Sequence, residues 1–140
     1  MDPFEVSAAG LSAMRMRVNV IAANIANAET TRTADGGPYK RKDVVVTARE
    51  EKASFESALD EMSMAKPEVA AVVEDNTPPR LVYQPGHPDA NPEGFVAYPN
   101  INVVQSMTDL MTATRLYQAN VSAAKALGEM AREAQRIAGS

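Results

Sequence analysis

The chain is 140 residues long, carries a net charge of −4, and contains no cysteine, no tryptophan and a single histidine. This excludes a disulfide framework and a thiolate zinc site, and any histidine-based triad or metal cluster would depend on carboxylates for its remaining groups. The hydrophobic fraction of 45% is rich in alanine and holds only three phenylalanines, which suits helix-on-helix packing better than a thick core of large side chains.

Met1-Asp2-Pro3-Phe4-Glu5-Val6 clusters several helix-start signals. Asp2 is placed to cap, Pro3 occupies the first helical position, Glu5 completes a capping box, and Met1 and Val6 suit a hydrophobic staple. Leu11, Met14, Val18, Ile21 and Ile25 then recur at steps of three and four, which predicts a helix to about Ala26. Its charged residues are Glu5, Arg15 and Arg17, and a helix this poor in charge is expected to be contacted on more than one side. The acidic start, with Arg15, Arg17, Asn19 and Asn24 interrupting the apolar run, argues against a secretory signal peptide and a transmembrane helix.

Glu29 to Lys42 reads as a connector with a turn at Asp35-Gly36-Gly37-Pro38. Tyr39 to Thr47, with Val44-Val45-Val46, reads as a strand. Phe55, Ala58, Leu59 and Met62 sit at helical spacing and predict a short amphipathic helix within Arg49 to Lys66. Glu68 to Asp75, Arg80 to Gln84 and Gly94 to Tyr98 read as short strands, separated by Pro78-Pro79 and by Pro85-Gly86-His87-Pro88.

From Asn102 to Ala138 there is no proline and one glycine, Gly128. Val103, Met107, Leu110, Thr114, Tyr117, Val121, Ala124, Gly128 and Ala131 alternate steps of four and three, which keeps one seam on one helix face. Asn102 is placed to cap this helix with Gln105 answering, and Arg132 and Arg136 suit its C-terminal end. At about 1.5 Å per residue it is roughly 55 Å long, more than a compact globule of this size is wide. Such a helix calls for partners outside its own fold.

Charge divides the chain in the same places. Residues 1–42 carry a net +2, residues 43–100 a net −7 and residues 101–140 a net +1. The middle reads as the solvated part and the two ends as the packed part. Lys40-Arg41-Lys42 reads as a solvated turn or strand edge, so no nucleic-acid partner is expected. Neither long helix combines a basic belt with bulky aromatics, so no direct membrane insertion is expected either.

Chemistry-bearing motifs are sparse. His87 lies between prolines in a polar loop, without the base, nucleophile and orienting group that catalysis requires together. Asp89-Ala90-Asn91-Pro92-Glu93-Gly94 partly mimics a calcium loop, but Asn100 stands where a bidentate glutamate belongs and Pro92 intrudes. With no phosphate-cradling glycine loop and no nucleophile elbow, the sequence offers no catalytic residues, no metal site and no cofactor. Two readings of the helices remain. They bury their seam within one monomer, or they serve a polymer, and excess length, low charge and an alanine-rich surface favour the polymer.

Asn24-Ile25-Ala26-Asn27, Thr30-Thr31-Arg32-Thr33 and Gly36-Gly37-Pro38-Tyr39-Lys40-Arg41-Lys42 together resemble the bacterial flagellar rod and hook proteins, and most closely their proximal rod members. Gly86 to Gly94, Tyr98 to Val104 and Ala113 to Val121 extend the resemblance over essentially the whole chain, least well over residues 48–72. The resemblance implies a non-enzymatic structural subunit, mainly α with a small β-rich insert. Residues 1–28 would form the N-terminal helix of an inner rod domain, and 29–100 a connector and β-rich outer domain. Residues 101–140 would form the long C-terminal helix of the inner domain, paired with the first as a coiled-coil-like layer.

The resemblance further implies export by the flagellar type III apparatus, assembly in the periplasm and torque transmission from rotor to hook. The implied partners are other rod proteins, neighbouring copies of itself and the export apparatus. A soluble helical adaptor or export chaperone is the competing reading. On the rod reading, Val103, Met107, Leu110, Tyr117 and Val121 are expected to pack on Leu11, Met14, Val18, Ile21 and Ile25. Asn24, Asn27, Gln118 and Asn120 are the expected polar groups fixing register between helices.

Overall fold

The computed structural model describes residues 3–49 and 66–139. Two helices, α1 (Pro3–Ala26) and α2 (Val103–Ala138), enclose four strands: β1 (Lys42–Arg49), β2 (Lys66–Glu74), β3 (Arg80–Tyr83) and β4 (Phe95–Tyr98). The architecture is mainly α with a small antiparallel insert, in the element order that the periodicity and the proline and glycine punctuation predict. The expected capping residue Asp2 and the expected short helix, whose apolar positions fall within residues 50–65, lie outside the described residues.

The strands form two antiparallel pairs, β1 with β2 and β3 with β4. The β1–β2 register shifts between Val45 and Val46, where Val45 faces Ala71 and Val46 faces Val69, so Ala70 is left unopposed in a bulge. β1 starts three residues later than its β-branched run suggests. Tyr39 donates its backbone N–H back to the Thr30 carbonyl, which holds residues 39–41 against the end of α1. β2 starts earlier than expected and takes in Pro67, which a two-stranded sheet tolerates because each strand is an edge.

Among the described elements α1 is the hub: it packs against α2 and against both β1 and β2. α2 touches no other element, and β3 and β4 touch only each other. This explains why α1 has so little charge, since helix and hairpin cover different faces of it. Gly10 belongs to the hairpin side, where a Cβ at this position would sit 3.9 Å from Pro67 Cγ.

The buried side chains are small. Ala13, Ala28, Val96 and Ala113 are the buried apolar residues among those described, joined by Pro99. Alanine at helix contacts lets backbones approach closely but removes little apolar area per residue, so these interfaces gain from number more than from any single anchor.

Candidate functional site

α2 meets α1 antiparallel. Val18 and Arg15 of α1 line one small notch with Thr114 and Tyr117 of α2. Arg17, Val20 and Ile21 line a groove with Asp109, Thr112, Ala113 and Leu116, closed on its third side by Lys42, Asp43 and Val44. Leu11, Met14, Val18, Ile21 and Ile25 are all half-buried, as are Leu110, Tyr117 and Val121. Val103 and Met107 are 37% and 52% exposed in the single chain, whereas Ser106 and Ala113 turn inward. Val104 and Met111, at 74% and 60%, continue the open apolar patch at the start of α2.

Asn102 caps α2 as its sequence suggests, its Oδ1 accepting from the Gln105 N–H at 3.1 Å. Gln105 does not answer the cap. Its side-chain amide donates instead to Asp109 one turn on, at 3.1 Å. The pairing along one helix face is available without bending the side chain back toward the N-terminus.

The polar residues of the N-x-A-N stretch act at the other end of α1. Asn24 is buried, 5% exposed, and both polar atoms of its amide are engaged. Nδ2 donates to the Lys42 carbonyl at 2.8 Å, and Oδ1 accepts from the Lys42 N–H and the Tyr39 hydroxyl, each at 3.0 Å. Asn27 donates its side-chain N–H to the Ala23 carbonyl at 2.8 Å and accepts from the Thr30 hydroxyl at 3.2 Å. Within this chain these two residues tie α1 to the connector and to β1. An asparagine amide matches a peptide group donor for acceptor, so it docks on a strand start as a neighbouring strand would. Gln118 and Asn120 lie exposed on α2.

A second tie joins the connector to the loop between β3 and β4. Asp89 accepts from the Thr31 hydroxyl at 2.7 Å and pairs with Arg32 at 2.6 Å, with its side chain 19% exposed. The Thr31 hydrogen bond, followed by the Arg32 charge, holds the Asp89 carboxyl below the usual carboxylate range. His87 Nδ1 accepts the Asp89 backbone N–H at 3.0 Å, and the His87 ring meets Tyr98 edge-on with centroids 6.4 Å apart. The Asp89–Gly94 stretch thus has its leading carboxylate committed to protein donors. Among the described residues no group of three or more His, Cys, Asp or Glu is arranged to hold a metal.

The open end of the β1–β2 pair is tied similarly. Asp75 pairs with Arg41 at 2.9 Å, and hydrogen bonds from Thr77 hold its carboxyl below the usual range. Partial burial, with Glu74 nearby, pushes the Tyr39 phenol up. The roles of Thr31, Arg32 and Tyr39 carry no periodic signal and were missed by pattern reading. Their motifs were conspicuous, however, and the structure joins the T-T-R-T and G-H-P-D stretches as the two halves of one contact. Together these bonds hold the end of α1, the start of β1 and the β3–β4 loop in one register.

Comparison with known proteins places this arrangement in a class. Residues 4–32 match the family model described as "Flagella basal body rod protein", and residues 93–137 match "Flagellar basal body rod FlgEFG protein C-terminal". The two segments cover α1 with its Asn24 end, and β4 with nearly all of α2, so the helix pair is that of the flagellar basal-body rod proteins. Relatives called flagellar basal-body rod protein FlgC are similar over most of their length. That of Borreliella burgdorferi is 36% identical over 94% of this chain and 93% of its own. That of Bacillus subtilis is 38% identical over 94% and 93%, and that of Salmonella typhimurium 37% over 86% and 84%. The chain belongs to the FlgC family of flagellar basal-body rod proteins.

Proposed function

We propose that this chain is a structural subunit of the flagellar basal-body rod, and that its role is mechanical and not catalytic. The observation that carries the reading is the similarity to FlgC rod proteins, which runs through both helices and the insert between them. On this reading the subunit is exported by the flagellar type III apparatus and assembles in the periplasm among other rod proteins and copies of itself. There it passes torque from rotor to hook. Residues 1–28 and 101–140 supply the inner helical layer, and 29–100 the outer part.

The physical support lies in how the helices are built. Burying one large apolar side chain contributes roughly 1.5–3 kcal/mol. Val103, Met107 and Met111 lie open in the single chain, while Leu110, Tyr117 and Val121 face α1 only in part. Neighbours covering this surface would add many modest contacts, and a load spread over many contacts does not hang on one bond.

Mass spectrometry of washed hook–basal bodies tests the assignment. The chain should be present in stoichiometric amount, and its absence would overturn the reading. Export is tested separately by deleting Phe4 to Ala13. The truncated chain should stay in the cytoplasm, and normal external levels would remove this segment from the export signal.

A further inference from the structure

Asp35-Gly36-Gly37-Pro38 is conspicuous in sequence and takes no part in the ties around Asn24 and Asp89. Backbone bonds close the turn: the Thr33 N–H donates to the Gly37 carbonyl at 2.9 Å, and the Gly36 N–H to the Thr33 carbonyl at 3.0 Å. Residues 34–37 are exposed, and Gly36 and Gly37 take φ of 81° and 74°. A Cβ built on either glycine would meet no atom within 4 Å, so the space beside the turn is open. The Asp35 carboxylate is engaged by no other described residue. A free carboxylate is thus followed directly by a backbone nitrogen that carries no side chain beside it.

The other acidic and amide residues described lack this combination. Asp35 is the only Asp or Asn in the chain that precedes a glycine. Asp43, Asp109, Asn19 and Asn120 sit inside a strand or a helix and precede Val or Leu. The carboxylate of Asp75 is held by Thr77 and Arg41, and that of Asp89 by Thr31 and Arg32. Asn91 precedes Pro92, whose nitrogen has no proton to lose.

We infer that Asp35 is a site of spontaneous isomerisation to isoaspartate in the folded chain. The Gly36 nitrogen bonds to the Asp35 side-chain carboxyl carbon. The nitrogen gives up its proton and the carboxyl its hydroxyl, which leave together as water. Water then opens the resulting five-membered imide. Opening at the side-chain carbon restores aspartate. Opening at the main-chain carbon routes the backbone through the side chain and frees an α-carboxylate, with no oxidant or reductant involved. The one brake is the Gly36 N–H bond to Thr33, and exposed turn bonds of this kind open at little cost. The product adds a backbone carbon between Thr33 and Gly37 and spoils their pairing, immediately beside the Thr31–Arg32 tie to Asp89. Its free α-carboxylate is the group that isoaspartate-specific methyltransferases esterify, taking the sulfonium methyl of S-adenosylmethionine and leaving a thioether. This chemistry is independent of the rod assignment.

The full chain is aged at neutral pH in heavy-oxygen water, once folded and once in urea, and then cut by trypsin in ordinary water. Each imide opening leaves one heavy oxygen behind. The peptide of residues 33–40, cut after Arg32 and Lys40, should gain the label faster than every other peptide. It should also become methylated by an isoaspartate-specific methyltransferase supplied with labelled S-adenosylmethionine. The folded chain should label at no less than about a tenth of the rate in urea, because opening the turn is cheap. Asp35→Ala, on the exposed turn, should lose both signals while keeping the far-ultraviolet circular dichroism of the wild type. Asp35→Asn should pass through the same imide and release ammonia, converting to acid at that position alone.

Label that is absent from the 33–40 peptide, or greater in another peptide, overturns the site. So does labelling that persists in Asp35→Ala. A folded rate below about a tenth of the rate in urea also overturns it, because the reaction would then belong to the unfolded chain and not to this turn. Label without methylation overturns it as well, since the imide would be reopening to aspartate only.

Discussion

At the scale of single residues, Asn24 has the most to lose. Three groups depend on its amide: the Lys42 carbonyl, the Lys42 N–H and the Tyr39 hydroxyl. Asn24→Ala leaves them without that partner in a buried place, and each buried polar group left unpaired costs about 1–3 kcal/mol. Partial relaxation reduces the sum, so a loss of about 2–4 kcal/mol is expected, read as a lower urea midpoint at unchanged slope. A second sensitive position is Gly94, with φ of 88° and a virtual Cβ only 2.8 Å from Tyr83 Cε2. Gly94→Ala should cost about 1–3 kcal/mol through backbone strain and displacement of the Tyr83 ring from Phe95. Gly86→Ala, which meets open space, is the control expected to fold normally.

Asp89 makes stability depend on pH. Its carboxyl is held down in the folded chain, chiefly by Thr31 and then by Arg32. Its stabilisation is thus complete above the unfolded carboxylate value near 3.9 and is lost as pH falls through the folded value. Urea midpoints measured at pH 7 and pH 3 should drop less for Asp89→Asn than for the wild type, with Asp75 supplying part of the remaining drop. An equal drop in both proteins would show that the Thr31–Arg32–Asp89 contact is absent in solution. None of these partnerships was legible beforehand, because Thr31 and Asp89 are 58 positions apart and polar pairing at that distance leaves no periodic trace.

At the scale of elements, most of the fold was legible. Leu11 to Ile25 and Val103 to Ala131 repeat at helical spacing, while Val44-Val45-Val46 and the Pro78-Pro79 break mark strand and turn. Periodicity gives a helix its face but does not name what covers it. Low charge along α1 pointed to contacts on more than one side without naming them, and no periodic signal linked Asn24 to β1. The start of the α2 seam shows the same limit, since Ser106 faces inward in this chain while Met107 points out. Val121 tests the seam itself. It is half-buried on the α1 side, and Val121→Asp replaces an apolar contact with a carboxylate that has only Lys125 one turn away. Burying that charge costs several kcal/mol after relaxation. The variant should be exported yet fail to complete a rod, leaving cells without hooks; normal swimming would remove Val121 from any packed face.

At the scale of the whole molecule, the small core sets the expectation for the isolated protein. With Ala13, Ala28, Val96 and Ala113 as the buried apolar residues described, the helices gain little to offset the entropy of ordering them. Amide exchange in a verified monomer should be fast along α2, above all beyond Gly128, where a Cβ would meet no atom within 4 Å. Strong protection along the full length of both helices would mean that the monomer is a self-sufficient hairpin.

The central place of α1 also has a kinetic side. The residues it pairs with on α2 lie roughly a hundred positions further along, while β1 and β2 are neighbours in sequence. Closing the longer loop carries the larger entropic cost and depends on contacts of high sequence separation. The hairpin is therefore expected to be in place first, with α1 settling on it and α2 arriving last. Pulse-labelled exchange during refolding should protect β1 and β2 amides before those of α2. Were the chain exported as proposed, with its first residue leading, α1 would lack its helical cover until nearly the whole polypeptide had emerged.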